Sequence, residues 1–190
     1  MKELRAPRPD LADLTPYEAK EPKAEVNLSA NENPQNLPHE IVAKLAELLP
    51  EFAFNRYPDP MAGKLRQLIA DANGLEAGNV LVGNGGDEVI FDLLLAWGGP
   101  GRKLLNMPPT FAMYEIDAQV TGTEVVSVPR RPDFSVDEAA VLERLSEGDI
   151  DCVFISHPNN PTGNLQPETF LIDLLNATDA LVLVDEAYFE

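Results

Sequence analysis

The stretch DCVFISHPNNPTG (151–163) joins two unlike pieces. From Cys152 to Ile155 it is apolar without a break, the texture of a strand buried on both faces. The second piece, HPNNPTG, is polar, rich in proline and closed by glycine, the texture of a rigid turn. The same pairing recurs elsewhere in the chain. NVLV runs into GNGGDE, KLLNM into PPTFAMY, and ALVLV into DEAYFE. Helical patterns separate these units: DEVIFDLLLAW (87–97), about 111–120, a segment ending near Leu145, and PETFLIDLLN (167–176). Strand, helix and strand with short connections predict an α/β fold with a mostly parallel sheet covered by helices. The predicted strands are 79–83, 103–107, 123–128, 151–156 and 180–184. Ser135 and Glu138 have the spacing of a capping box for the helix between the third and fourth of them.

Upstream the texture changes. Residues 1–37 show little periodicity and read as an irregular arm. Pro38 opens an amphipathic helix in which Ile41, Val42, Leu45, Leu48 and Leu49 fall at helical spacing, and Pro50 comes directly after it. NRYPDP (55–60) reads as a turn. A second helix is expected over 61–73, with Leu65, Leu68, Ile69 and Ala72 on one face and Gly74 as a left-handed cap. The expected organisation is an arm and helix over 1–50 and an α/β body over 51–190.

Bulk properties narrow the function. The chain has 190 residues and a net charge of −18, which disfavours a general nucleic-acid or anionic-membrane surface. No apolar run approaches the ~18–20 residues of a membrane span, and MKELRAPRPD lacks the apolar core of a signal peptide. The expectation is a cytoplasmic protein. Cys152 reads as core packing, and His39 and His157 with one thiol make no zinc set, so no metal site is expected.

In open parallel sheets, ligands bind outside the carboxyl ends of the strands. All four unusual stretches lie there. In GNGGDE, glycines run into a helix start, which suits a phosphate; an ordinary glycine turn fits as well. The dinucleotide pattern G-x-G-x-x-G fails at Glu88, and there is no Gly-Lys-Ser/Thr, which disfavours NAD and ATP. Phe111 suits stacking on a flat ring, or core packing. In HPNNPTG an asparagine amide can donate to a ligand oxygen, while Asx turns account for the proline and glycine. Asp185 ends an apolar strand with no Lys or Arg nearby in sequence. A desolvated carboxylate wants a cation, and a protonated ring nitrogen would serve. Glu186 as the buried acid, or two solvated acids, remain open on sequence alone.

Taken in order and spacing, GNGGDE, PPTFAMY, HPNNPTG and VDEAYFE resemble the first half of a fold-type I aminotransferase dependent on pyridoxal 5′-phosphate. LSANENP (28–34) and NRYPDP narrow the resemblance to the histidinol-phosphate aminotransferase family. The resemblance implies a three-layer α/β/α large domain, incomplete here. Residues 1–50 would belong to a small domain and dimer contact. It implies transamination of L-histidinol phosphate with 2-oxoglutarate in a homodimer. Carried over by motif, Gly86 and Asp87 would hold the cofactor phosphate and Phe111 would stack on the ring. Asn160 and Tyr188 would donate to the 3′-oxygen, and Asp185 would pair with the ring nitrogen. Tyr57 would reach the phosphate of the other subunit, and Glu32 and Tyr17 would lie near the substrate's imidazole end. Threonine-phosphate decarboxylase, an aromatic aminotransferase of the same fold, and an inactive truncated product are the alternatives.

The family's Schiff-base lysine and carboxylate-binding arginine would lie beyond DEAYFE, and neither motif occurs in this sequence. No catalytic residue is therefore assigned within it. Without a lysine to serve as imine partner and proton shuttle, these 190 residues alone are expected to bind the cofactor weakly at most and not to transaminate.

Overall fold

A computed structural model describes residues 8–11, 14, 23, 25, 26, 28 and 31–189. Its helices are α1 (His39–Leu48), α2 (Gly63–Asn73), α3 (Gly85–Trp97), α4 (Met113–Thr121), α5 (Glu138–Leu145) and α6 (Glu168–Ala177). The strands β1 (Lys103–Asn106), β2 (Glu124–Ser127), β3 (Cys152–Ser156) and β4 (Leu181–Asp185) form one sheet. Its spatial order is β2-β1-β3-β4, and every neighbouring pair is parallel.

The pleat sorts the apolar residues of the central strands onto two faces. Leu104, Cys152 and Phe154 pack on one side with Ile90 and Leu94 of α3 and Tyr114 and Ala118 of α4. Leu105, Val153 and Ile155 pack on the other with Val141 and Leu145 of α5 and Phe170 and Leu174 of α6. The register pairs Leu104 with Cys152 and Leu105 with Val153, so neighbours on adjacent strands enter the same core. This is the expected three-layer α/β/α arrangement. Cys152 is fully buried, and burial pushes its thiol up to about 11, which fits its reading as packing.

The order of the strands has a functional consequence. From β1 the chain steps outward to β2, then returns past β1 to β3 and continues to β4 on the other side. The direction of winding therefore reverses between β1 and β3. That is where the loops leaving neighbouring strands diverge and open a crevice.

The chain groups into two units, Met1–Leu14 with Leu81–Glu190, and Thr15–Val80. This grouping differs from a division at residue 50, because α2 goes with the residues before it rather than with the sheet. Within Thr15–Val80, α2 ends as its sequence predicts: Gly74 takes the left-handed conformation, with φ 67°. The predicted apolar faces are much less buried than expected. Leu45 is 49% exposed and Leu68 67%, and only Ala70 of α2 is buried.

Other sequence expectations also change. NVLVG (79–83) is not a strand. Val80 is extended, but the run joins neither β2 nor β4, and Leu81 is 68% exposed. An apolar run signals a strand only if a neighbour completes the ladder. The capping box at Ser135 is also absent. The Ser135 hydroxyl donates to Asp133 at 2.6 Å, and Asp137 caps α5 by accepting from the Ala140 N–H. Finally, α3 begins at Gly85, two residues before the predicted start, so the glycines belong to its first turn.

Candidate functional site

The C-terminal ends of β3 and β4, the segment after β1 and the N-terminal part of α3 line a cavity of about 150 Å³. Each of the four motifs contributes to its wall. Gly86 and Asp87 come from α3, Phe111 from the segment after β1, Asn160 from the segment after β3, and Asp185 and Tyr188 from the end of β4 and beyond. Residues far apart in sequence meet because parallel strands all deliver their exit loops to one edge.

The anion end is built from backbone. No side chain caps the first N–H groups of α3. The residue that would cap them, Asn84, is engaged otherwise: its N–H donates to Glu88 Oε2 at 2.5 Å and its side-chain amide to the same oxygen at 3.1 Å. These bonds hold the Glu88 carboxyl below its ordinary range, the backbone bond counting most. Gly85, with φ 82°, makes the turn into the helix, and a Cβ placed on Gly86 would touch nothing within 4 Å. Uncapped N–H groups at a helix start with open space before them favour an anion.

The two asparagines of HPNNPTG divide their work. Asn159 is buried and holds the loops together. Its amide nitrogen donates to the Pro109 carbonyl at 3.1 Å and to the Thr162 hydroxyl at 2.7 Å. Its oxygen accepts from Thr110 at 2.8 Å and from Arg130 at 2.9 Å. Asn160 is half-buried and lines the cavity. Thus the turn that carries Asn160 is tied to the turn that carries Phe111. Arg130, buried, also donates to the carbonyls of Met107 and Phe134. Burial lowers its pKa from the ordinary guanidinium value, and its hydrogen-bond acceptors here are all neutral.

Asp185 is the half-buried acid and Glu186 is exposed, which resolves the choice left open by the sequence. One oxygen of Asp185 accepts from the Tyr114 hydroxyl at 2.5 Å. The other accepts from the Ala187 N–H at 3.0 Å. Tyr114 is fully buried, and desolvation first, then the bond and charge of Asp185, push its pKa far above the ordinary phenol value. The donor therefore stays protonated. Tyr114 also meets Phe111 edge to face, with ring centroids 5.5 Å apart.

Asp117 of α4 is a second buried acid, with one carboxylate oxygen lacking any hydrogen-bond partner. Burial and, after it, the charge of Asp87 push it up to about 6.

The remaining candidate residues lie in the Thr15–Val80 unit. Tyr57 is fully exposed beside Phe54, Asn55 and Arg56 in a shallow pocket. Glu32 is exposed. Tyr17 lies outside the described residues. No group of His, Cys, Asp and Glu among the described residues could hold a metal ion, and no helix among them is long and apolar enough to cross a membrane. Sequence reasoning misses Tyr114, Arg130 and Asn159. Asn159 lies in the HPNNPTG motif and Tyr114 in PPTFAMY, so the motifs mark where they sit but not what they do.

The chain belongs to the class I and II aminotransferases, whose family model matches residues 23–190. More narrowly, it is 43% identical over 175 residues to the histidinol-phosphate aminotransferase of Thermococcus gammatolerans, covering 92% of this chain and 50% of that protein. It is 41% identical over 187 residues to the histidinol-phosphate aminotransferase of Thermobifida fusca, covering 96% and 51%. The chain thus spans about half the length of the curated relatives it matches. Among solved structures, aspartate aminotransferase of Thermotoga maritima superposes with a TM-score of 0.76 at 27% identity, covering 86% of this chain and 46% of that one. L-threonine-O-3-phosphate decarboxylase of Porphyromonas gingivalis gives 0.62 at 29% identity, covering 78% and 44%.

Proposed function

We propose that the chain carries the first part of a pyridoxal 5′-phosphate site in an enzyme that transaminates L-histidinol phosphate with 2-oxoglutarate. One observation carries this reading: an uncapped helix start, an aromatic ring, an amide and an acid line one cavity at the winding reversal of the sheet. That donor set matches the cofactor group by group. The cofactor, when bound, supplies an aldehyde that takes up the amino group and an electron-withdrawing ring.

The candidate residues divide the work. The N–H groups of Gly86 and Asp87 would hold the phosphate with the aid of the helix dipole. Phe111 would lie against the ring face, where it can stack but cannot hydrogen-bond. Asn160 and Tyr188 would donate to the 3′-oxygen. Asp185 would accept from the ring nitrogen and keep its proton in place. Tyr57 would reach the phosphate bound by a second copy in a homodimer, and Glu32 and Tyr17 would meet the imidazole end of the substrate. Among the described residues no lysine lines the cavity, so the reading takes proton transfer at the substrate carbon from a group outside that lining. These 190 residues alone are expected to give no turnover.

The relatives' names support the choice of substrate, and the decarboxylase among the structural neighbours supports threonine phosphate as the second reading. The full-length protein should form glutamate from 2-oxoglutarate with histidinol phosphate as donor. Release of carbon dioxide from threonine phosphate, with no glutamate from histidinol phosphate, would transfer the assignment to the second reading.

A further inference from the structure

Asp185 is held in an unusual way. A carboxylate at the end of an apolar strand is commonly steadied by Lys or Arg. Here both oxygens are held by neutral donors, the Tyr114 hydroxyl at 2.5 Å and the Ala187 N–H at 3.0 Å. The distinction matters for any ligand that presents a cation. A cationic partner would fix the rotamer but neutralise the acid and compete for it. A hydroxyl fixes the rotamer and leaves the full negative charge for the ligand.

Tyr114 is firmly placed for this. Its ring is fully buried, edge to face with Phe111 on one side and with Phe154, centroids 5.5 Å apart, on the other. Its hydroxyl reaches Asp185 at the C-terminal end of β4. One side chain thus contacts both the acid and the aromatic ring that line the cavity.

We infer that Tyr114 is a positioning residue, whose neutral hydrogen bond orients Asp185 toward a protonated ring nitrogen without cancelling its charge. This rests on the cofactor reading of the cavity. The bland alternative is that a buried tyrosine simply needs an acceptor, and Asp185 is the nearest one.

The two differ in ligand selectivity. The probes are pyridoxine 5′-phosphate, which has no aldehyde and so needs no lysine, and its isostere with C–H in place of the ring nitrogen. Both are titrated calorimetrically into the full-length protein, freed of cofactor, and into its Tyr114→Phe variant. The parent should prefer the nitrogen ring by about tenfold, the scale of one charge-assisted hydrogen bond. Tyr114→Phe should cut that preference to about threefold or less while binding the carbon isostere as the parent does. Equal loss for both probes, or an unchanged preference, would overturn the inference and leave the cofactor reading intact. A parent that binds neither probe, or both equally, would overturn the cofactor reading and this inference with it. If Tyr114→Phe does not fold, the Tyr114 ring carbon bearing the hydroxyl is monitored by NMR in the parent. It should shift with the nitrogen probe only; the same shift with both probes would overturn the inference.

Discussion

The two ends of the parallel sheet carry similar residues and treat them in opposite ways. At the N-terminal end, charges pair with one another. Lys103 and Arg144 both bind Asp149, at 2.6 and 2.5 Å, and Arg102 binds Asp151. Asp149 is held far below the ordinary carboxylate range, first by its bond to Arg144 and then by Lys103. At the C-terminal end, among the described residues, Asp185 has neutral partners only, Asn160 lines a cavity, and the start of α3 lacks a side-chain cap. One end is satisfied by its own residues. The other leaves a helix start, an amide and an acid facing one cavity, the end to which the proposed function assigns a phosphate and a cation. On that proposal the contrast separates acids that stabilise the fold from acids that serve a site.

That contrast can be tested by substitution. Phe154 of β3 lies in the core under both ends and is 1% exposed. Phe154→Ala should destabilise the α/β unit by about 3–5 kcal/mol in denaturant unfolding, and both ends should fail together. Asp185→Asn, which keeps an acceptor for the buried Tyr114 hydroxyl, should weaken binding of pyridoxine 5′-phosphate by at least about tenfold while leaving the unfolding midpoint nearly unchanged. A large loss of stability there would mean that Asp185 belongs with the structural acids.

Asp117 sharpens the contrast from the cavity side. Its folded-state pKa, about 6, lies above the ordinary 3.8, so its ionisation opposes folding. The penalty is absent below the ordinary value, grows as pH rises through that window, and is complete above about 6. Asp117→Asn should therefore be more stable than the parent at pH 8, by about 1–2 kcal/mol, and equal to it near pH 4. Asp149 has the opposite sign. Its depressed pKa contributes stability at neutral pH that is lost only as strong acid protonates it. Asp149→Asn should flatten the acid limb of the stability curve slightly and leave ligand affinity unchanged. This is the smallest of the four effects, because the group is 40% exposed and screened.

The architecture is legible in DCVFIS, KLLNM and ALVLV because uninterrupted apolar runs between helical patterns have few ways to be buried. The convergence of the four polar motifs is a consequence, since a parallel sheet sends its loops to one edge. NVLVG misleads because pairing is a property of two segments, and the pattern of one says nothing of its neighbour. The faces of α1 and α2 show the same limit. Their periodicity marks Leu45 and Leu68 as residues to be covered but does not name the cover.

Within the site, the groups that meet the cavity are legible from their motifs. The groups that hold them are less so. Arg130 and Asn159 act through carbonyls and amides brought together by the fold, a pattern with no sequence spacing. Tyr114 occupies an ordinary apolar position of a helix, and only the fold brings its hydroxyl to Asp185.

The most direct test is an amide NMR map of the full-length protein, freed of cofactor and titrated with pyridoxine 5′-phosphate. Saturable shifts should centre on Gly86, Asp87, Asn160 and the segment from Asp185 to Tyr188, with the N-terminal end of the sheet silent. Shifts centred on Lys103, Asp149 and Asp151, or no saturable change near Asp185, would contradict the assignment of the cavity as the cofactor site.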